Sequence, residues 1–345
     1  MESITALERS LKVIHHLMPD RIPVMPQAHS WIMAHYGIRP ADLMWDGPLL
    51  AELQFRGWQD FGWDGVFVGT DSVALAHVLG LEVEYTDLGP APNPRGMLKN
   101  LGEVDSLRIP DLHNSRLQEW ITATRILSAQ IGSRVLIIAR ADQGPFTLAG
   151  QLRGMEQFLL DIATGDGDLA IHRLLDFCAR YWLTFAECLM DAGAHVVTIG
   201  DALASGSLIS PAAYEKYAYP YQQELARAIR RRGGLFGIHV CGNTNRTLPH
   251  LAASGAHLLE FDAPTDFSQA LETARGRICL LGNVDTSAIM VSGRPQDVEE
   301  ECRWRIEKAR PDCGFILSTG CAISPNVPED NLRAMLESAQ KYGIY

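Results

Sequence analysis

Short apolar runs of β-branched character alternate along this chain with longer stretches of helical spacing. A helix between two strands brings the chain back so that the next strand runs parallel to the last, so the pattern confines the chain to an α/β fold around a parallel sheet. The runs are Ile22 to Gln27, Gly65 to Gly69, Val135 to Arg140, His195 to Gly200, Leu235 to Cys241, His257 to Asp262, Ile278 to Asn283 and Gly314 to Thr319. Eight strands close a (β/α)8 TIM-type barrel, and one such domain over residues 1–345 is the expected fold. The competing fold is a doubly wound open sheet, but no G-x-G-x-x-G follows any of these runs.

Helix punctuation agrees with this order. Pro211 to Arg232 opens on Ser210 with proline at the first position, and Pro295 to Arg310 ends in a basic turn before Pro311. Glu329 to Tyr342 follows Pro328 and stops at Gly343. A small hairpin is expected at Leu81 to Thr86, then an elaborated loop from Leu88 to Gly96. No repeat of period 20 to 50 and no low-complexity tract interrupts the chain.

Composition narrows the partners. A formal charge of -11, from Lys+Arg 30 against Asp+Glu 41, disfavours nucleic acid and anionic membrane, because phosphate binding needs a basic face. Met1 to Lys12 is mixed and polar, and no run approaches the roughly 20 apolar residues that span a bilayer, so a cytoplasmic protein is expected. The seven cysteines are an odd, scattered set, which leaves metal or buried-thiol roles rather than a disulfide framework.

The chemistry gathers at strand ends. In Gly237-Ile238-His239-Val240-Cys241, His239 and Cys241 are two apart and share a strand face, at the carboxyl end where such barrels collect their working groups. Cys321 follows the last strand and would open on the same mouth. Two thiolates and an imidazole suit zinc. Between them Leu259-Glu260-Phe261-Asp262 offers two carboxylates on one face, and Asp262, nearer the mouth, is the preferred oxygen ligand over Glu260. Cys178, Cys188, Cys279, Cys302 and Cys313 read as packed thiols, and His195, His250 and His257 as structural or exposed.

Around that mouth the barrel register puts His29 and Trp31 after strand one, Asp71 after strand two, Gln143 after strand three, Asp201 after strand four and Asn283 after strand seven. Asp71 and Asp201 are the candidate catalytic carboxylates; His29, Trp31, Gln143 and Asn283 are candidate substrate contacts. Trp31, Trp45 and Tyr85 could wall an aromatic substrate, or could simply cover the barrel end.

His239-Val240-Cys241-Gly242-Asn243-Thr244, Thr247-Leu248-Pro249, Gly282-Asn283-Val284 and Leu317-Ser318-Thr319-Gly320-Cys321 together resemble the zinc methyltransferases of the uroporphyrinogen decarboxylase superfamily. Gly144 to Ala149 and Ala204 to Pro211 look like further family blocks. The resemblance implies a (β/α)8 barrel with zinc on His239, Cys241 and Cys321, and a carboxylate or a substrate atom in the remaining position. The spacing is also similar to the zinc site of cobalamin-independent methionine synthase, where a strand-end acid lies between the two thiolates, near the place of Asp262.

The activity so implied moves a methyl group between a corrinoid and either a thiol or a methoxylated or methylated small molecule. The nearest match to the D-x-H-x-x-G cobalamin signature, Asp111 to Arg116, ends in arginine, so the corrinoid is expected on a separate carrier protein. Decarboxylation is the competing activity: Asp71 matches an aspartate of the decarboxylases, but Arg21 to Trp31 lacks their arginine pair. A non-catalytic zinc-containing binding protein of the same fold is the other alternative.

Overall fold

The computed structural model describes residues 4–86, 89–165 and 167–345. Residues 1–3 of the polar opening segment, and Leu88 of the expected loop, lie outside the described residues. The strands are β1 (Gly65–Val68), β2 (Val83–Thr86), β3 (Gly89–Pro92), β4 (Leu136–Gln143), β5 (Val196–Gly200), β6 (Leu235–Val240), β7 (Leu258–Phe261), β8 (Cys279–Val284) and β9 (Phe315–Thr319). Seven of them form one parallel sheet in the order β1-β4-β5-β6-β7-β8-β9, and β2 and β3 form a separate hairpin. The α/β class and seven of the eight expected strands therefore stand.

The first expected strand does not form. Pro23 and Pro26 remove two backbone donors from Ile22 to Gln27, so no ladder can run through it. Only bridges remain, Val24 parallel to Leu317 and Arg21 antiparallel to Ile344. The segment still touches both edges of the sheet: Leu317 N–H donates to the Pro23 carbonyl and Met25 N–H to the Leu317 carbonyl, each at 2.9 Å, and Asp64 N–H donates to the Val24 carbonyl at 2.9 Å. Buried Asp64 fixes this seam, accepting from Val24 N–H at 2.8 Å, Arg9 Nη1 at 2.8 Å and Arg21 Nη1 at 2.7 Å.

Strand alternation divides the core in two. Residues such as Val66, Ile137, Val197, Phe236, Leu259, Leu280 and Phe315 belong to the large cluster that includes the helices. Their neighbours Phe67, Leu136, Ile138, Val196, Leu258, Cys279, Leu281 and Ile316 form a smaller cluster with Val13 and Ile14 of the Ala6–Ile14 helix. Full burial of such a side chain contributes about 1.5–3 kcal/mol, so both faces of the seven-stranded sheet are committed. The inner face changes character along each strand. Leu136 and Ile138 lead to Arg140, Leu258 leads to Glu260, and glycine at 237 leads to His239.

Proline also corrects one helix. Pro211 to Arg232 is two helices, Pro211–Tyr217 and Tyr219–Arg231, because Pro220 has no N–H to continue the first. The isolated histidines His195 and His257 fasten strand starts, their Nδ1 atoms accepting from Ile137 N–H and Phe236 N–H at 3.0 Å each. No helix among the described residues is long and apolar enough to cross a membrane.

Candidate metal centre and its cavity

His239 lies near the end of β6 and Cys241 is the first residue past Val240, its last. Cys321 follows β9, which ends at Thr319. Parallel pairing puts these ends on one rim, and one donor atom from each residue lies within 4.8 Å of the others. His239 Nε2 is 3.0 Å from Cys241 Sγ and 3.7 Å from Cys321 Sγ, and the two sulfurs are 3.9 Å apart. Two sulfurs on a tetrahedral zinc at about 2.3 Å each would be about 3.8 Å apart, and a nitrogen and a sulfur about 3.6 Å. The two distances to Cys321 match that size, and the His239–Cys241 contact is shorter.

The tautomer fits as well. His239 Nδ1 is 3.2 Å from the Glu260 carbonyl, the donor direction that leaves the Nε2 lone pair facing the sulfurs. Burial opposes charge on His239, but the hydrogen bond and charge of Cys321 raise its pKa above the ordinary value. The thiols are split: its hydrogen bond with Cys241, aided by His239, pulls Cys321 down to about 3, while Cys241 is driven up by the same contact.

The loops that carry the thiols are held by Asp262. Its oxygens accept from Gly242 N–H at 2.8 Å and Ala263 N–H at 2.7 Å. Gly242 has φ +76, and a Cβ there would come within 2.9 Å of Ser207 Oγ, so the turn after Cys241 needs glycine. Asp262, the expected fourth ligand, stands outside the three-donor cluster. Glu260 is fully buried and paired with Arg140, and its Oε1 has no partner.

The cluster opens into a cavity of about 560 Å3 lined by His239, Cys241 and Cys321 together with His29, Asp71, Arg140, Gln143 and Gln151, among others. The expected substrate contacts His29 and Gln143 and the expected catalytic carboxylate Asp71 therefore share the cavity with the three-donor cluster. Burial, with Arg140 nearby, pushes His29 down to about 3, so it is neutral there. Asp71 is clamped by Arg116, with Oδ2 to Nη1 at 2.7 Å and Oδ1 to Nη2 at 2.9 Å.

Other expected residues point elsewhere. Asp201 is fully buried away from the cavity lining, and it accepts from Thr147 N–H at 2.9 Å and Gln222 Nε2 at 3.0 Å. It caps the first turn of the Pro145–Arg153 helix. Asn283 donates to the Thr265 carbonyl at 3.0 Å and accepts from Arg305 Nε at 3.0 Å, so its amide braces β8. Trp31 is buried with its Nε1 on the Val327 carbonyl at 2.8 Å, while Trp45 and Tyr85 are exposed. None of these three aromatics lines the cavity.

Sequence reasoning missed Arg140 and Gln151, and gave Asp142 no role. Asp142 is fully buried at φ +62, accepts from Leu75 N–H at 2.6 Å, and is pushed up to about 7 by burial and the charge of Asp71. In the unfolded chain it titrates near the ordinary 3.8. The native state therefore holds more protons between those values, and this group's stabilising share is full below about 4 and lost as pH rises through about 7. Asp142→Asn, which tolerates the left-handed backbone, is expected to flatten that fall and raise stability at pH 8 by about 2–4 kcal/mol. Urea melts of both proteins from pH 5 to 8 check it; parallel curves would refute the assignment.

Comparison with known proteins sets these features in a family. Residues 5–342 match the family described as Uroporphyrinogen decarboxylase (URO-D). The chain belongs to the uroporphyrinogen decarboxylase family. Within it, the chain is 30% identical over 347 residues to the methylcobamide:CoM methyltransferase MtbA of Methanosarcina acetivorans, covering 99% of each. A uroporphyrinogen decarboxylase of Idiomarina loihiensis is more distant, at 24% over 351 residues, 97% of this chain and 96% of that one. A solved methyltransferase from Methanosarcina mazei shares the fold with a TM-score of 0.87 at 22% identity, covering 98% of this chain and 99% of its own. The expectation of an enzyme of the methyltransferase kind within this family stands.

Proposed function

We propose that this chain moves a methyl group from a methylated corrinoid, carried on a separate protein, to a small thiol, with zinc held by His239, Cys241 and Cys321. The observation that carries the reading is the cluster itself: an imidazole and two thiols opening together into a cavity. Relatives named methylcobamide:CoM methyltransferases support the thiol direction. In the fold this reading uses, the Ile22 to Gln27 seam stands in for an eighth strand, giving one (β/α)8 domain over residues 1–345.

When bound, zinc would lower the pKa of the substrate thiol and so supply a nucleophile near neutral pH. The chain's own residues do the rest. The Glu260 carbonyl fixes the His239 ring, and Asp262 holds the Cys241 turn without joining the three donors. Leu203, Met155, Pro90 and Pro92 give the cavity a dry wall, and His29 and Gln143 are its polar contacts to substrate. The corrinoid, on its carrier protein, would supply the methyl group and keep the electron pair of the cobalt–carbon bond, while the substrate thiol would lose its proton to solvent and gain the methyl on sulfur.

Decarboxylation finds no support in this site. Arg21, the arginine of the seam, is committed to Asp64, and Arg140 to Glu260. The test is zinc-loaded protein with methylcobalamin and a panel of thiols, followed by the cobalamin spectrum. Thiol-dependent loss of the methyl-Co(III) bands is expected, and its absence with every thiol and with methylated carrier proteins would sink the proposal.

A further inference from the structure

The pairing of Arg140 with Glu260 uses only one end of the guanidinium. Glu260 Oε2 and Gln27 Oε1, the latter at 3.3 Å, both accept from Nη2, although the group carries its N–H donors in a fixed fork. Among the described residues Nη1 has no partner, and it is not sealed off, because Arg140 lines the cavity.

The neighbouring amide adds a second donor. Gln143 also lines the cavity, but its Oε1 is buried in the wall without a partner, so Nε2 is the atom left on the cavity side. The two nitrogens converge over Gly200: the place that a Cβ on Gly200 would occupy is 3.1 Å from Gln143 Nε2 and 3.5 Å from Arg140 Nη1. Glycine thus keeps a seat open between two donors, one of them cationic. Such a pair suits an oxoanion, whose charge-assisted bonds to a guanidinium are the stronger kind. Asp71, the carboxylate on the lining, is spent on Arg116 and does not contest the place.

Register sets the depth. Gly200 pairs with Gln143 on one side and with His239 on the other, whereas Arg140 pairs with Thr198, two residues and roughly 7 Å further from the mouth. The guanidinium rises to the seat from below, while Cys241 and Cys321 follow strand ends at the rim. Glu260 Oε2 touches Arg140 Nη2 and lies 3.9 Å from His239 Nδ1, so one carboxylate oxygen separates the guanidinium from the imidazole. An arm of about two or three carbons between sulfur and anion covers that gap.

Resting on the methyl-transfer reading above, we infer that Arg140 and Gln143 form the subsite for the far end of the thiol substrate, a sulfonate or carboxylate seated over Gly200. The substrate then enters tail first. Its sulfur is left uppermost, beside the three donors and facing the mouth, where a methylated corrinoid on its carrier can meet it. Glu260 keeps the guanidinium in place while Nη1 reads the tail.

Dissociation constants are measured by calorimetry on the zinc-loaded protein, with no corrinoid present, for 2-mercaptoethanesulfonate, 3-mercaptopropanoate, its near-isostere 3-mercaptopropanamide and 1-propanethiol. At least one anion is expected to bind about tenfold or more tighter than the amide, and the tighter anion names the tail. Gly200→Ala fills the seat with a methyl group, and Arg140→Lys keeps a cation for Glu260 but has no second nitrogen to offer. Each variant is expected to cut the preference to about threefold or less, with zinc content kept and 1-propanethiol binding within about twofold. Amide binding as tight as that of both anions, or an anion preference that survives either variant, overturns the inference. An anion preference without turnover of any thiol would retire the methyl-transfer reading and leave the subsite standing.

Discussion

Cys321→Ser and His239→Ala proteins are expected to lose zinc, from about one per chain to near none, and to lose at least ~10³-fold in methyl transfer, a deficit of about 4 kcal/mol in the barrier. A serine hydroxyl is a harder and far less acidic donor than a thiol, and an alanine is no donor at all, so either change leaves two ligands where zinc needs three from the protein. The fold should persist. Cys241 and Cys321 are only partly buried at the rim, whereas the packed core lies in the strands and helices below. Cys302→Ser is the matched control, because Cys302 is fully buried and away from the cavity. It is expected to keep its zinc and lose about 1–3 kcal/mol of stability from a buried hydroxyl. Metal analysis beside thermal melts separates the two patterns, and full zinc in the Cys321 variant would end the assignment.

Arg140→Leu is expected to destabilise the protein by about 3–5 kcal/mol, because fully buried Glu260 would be left as an unpaired charge. One Glu260 oxygen already has no partner, and the nearby ring nitrogen, His239 Nδ1 at 3.9 Å, is turned to the Glu260 carbonyl. The double variant Arg140→Leu/Glu260→Gln should recover most of the loss, since a neutral amide needs no counter-ion. Denaturant midpoints for the single and double variants make the comparison. If the double variant is no better than the single, the cost comes from lost packing, and the ion pair is not what holds this side of the cavity.

Periodicity and residue chemistry together were enough for much of this. The parallel order came from apolar runs separated by helices, and the donor cluster from a His-x-Cys at one strand end and a cysteine after another. The failures have local causes. Pro23 and Pro26 stand in plain view, and their missing donors already argue against a full first strand. Position after a strand is a weaker guide than contact: Asp201 and Asn283 sit where a mouth residue should, yet their polar atoms are spent on backbone and helix neighbours. Arg140 and Glu260 left a signal that went unread. Each follows an apolar residue at i−2 on the inward face, and a charge at that point of a buried alternation needs a partner across the sheet.

The seam between Pro23, Met25 and Leu317 has a bearing on how the molecule assembles. Its side-chain bonds join Gln27 to Thr319 and Ser318 to Met25, pairs 292 and 293 positions apart. Contacts so distant in sequence are slow to find, and the ring cannot be drawn shut until β9 has left the ribosome. Cys321 comes just after it. During synthesis His239 and Cys241 thus wait as a two-donor fragment, and Cys321 reaches them in the step that closes the sheet, so the three-donor cluster is complete only once the chain has finished folding.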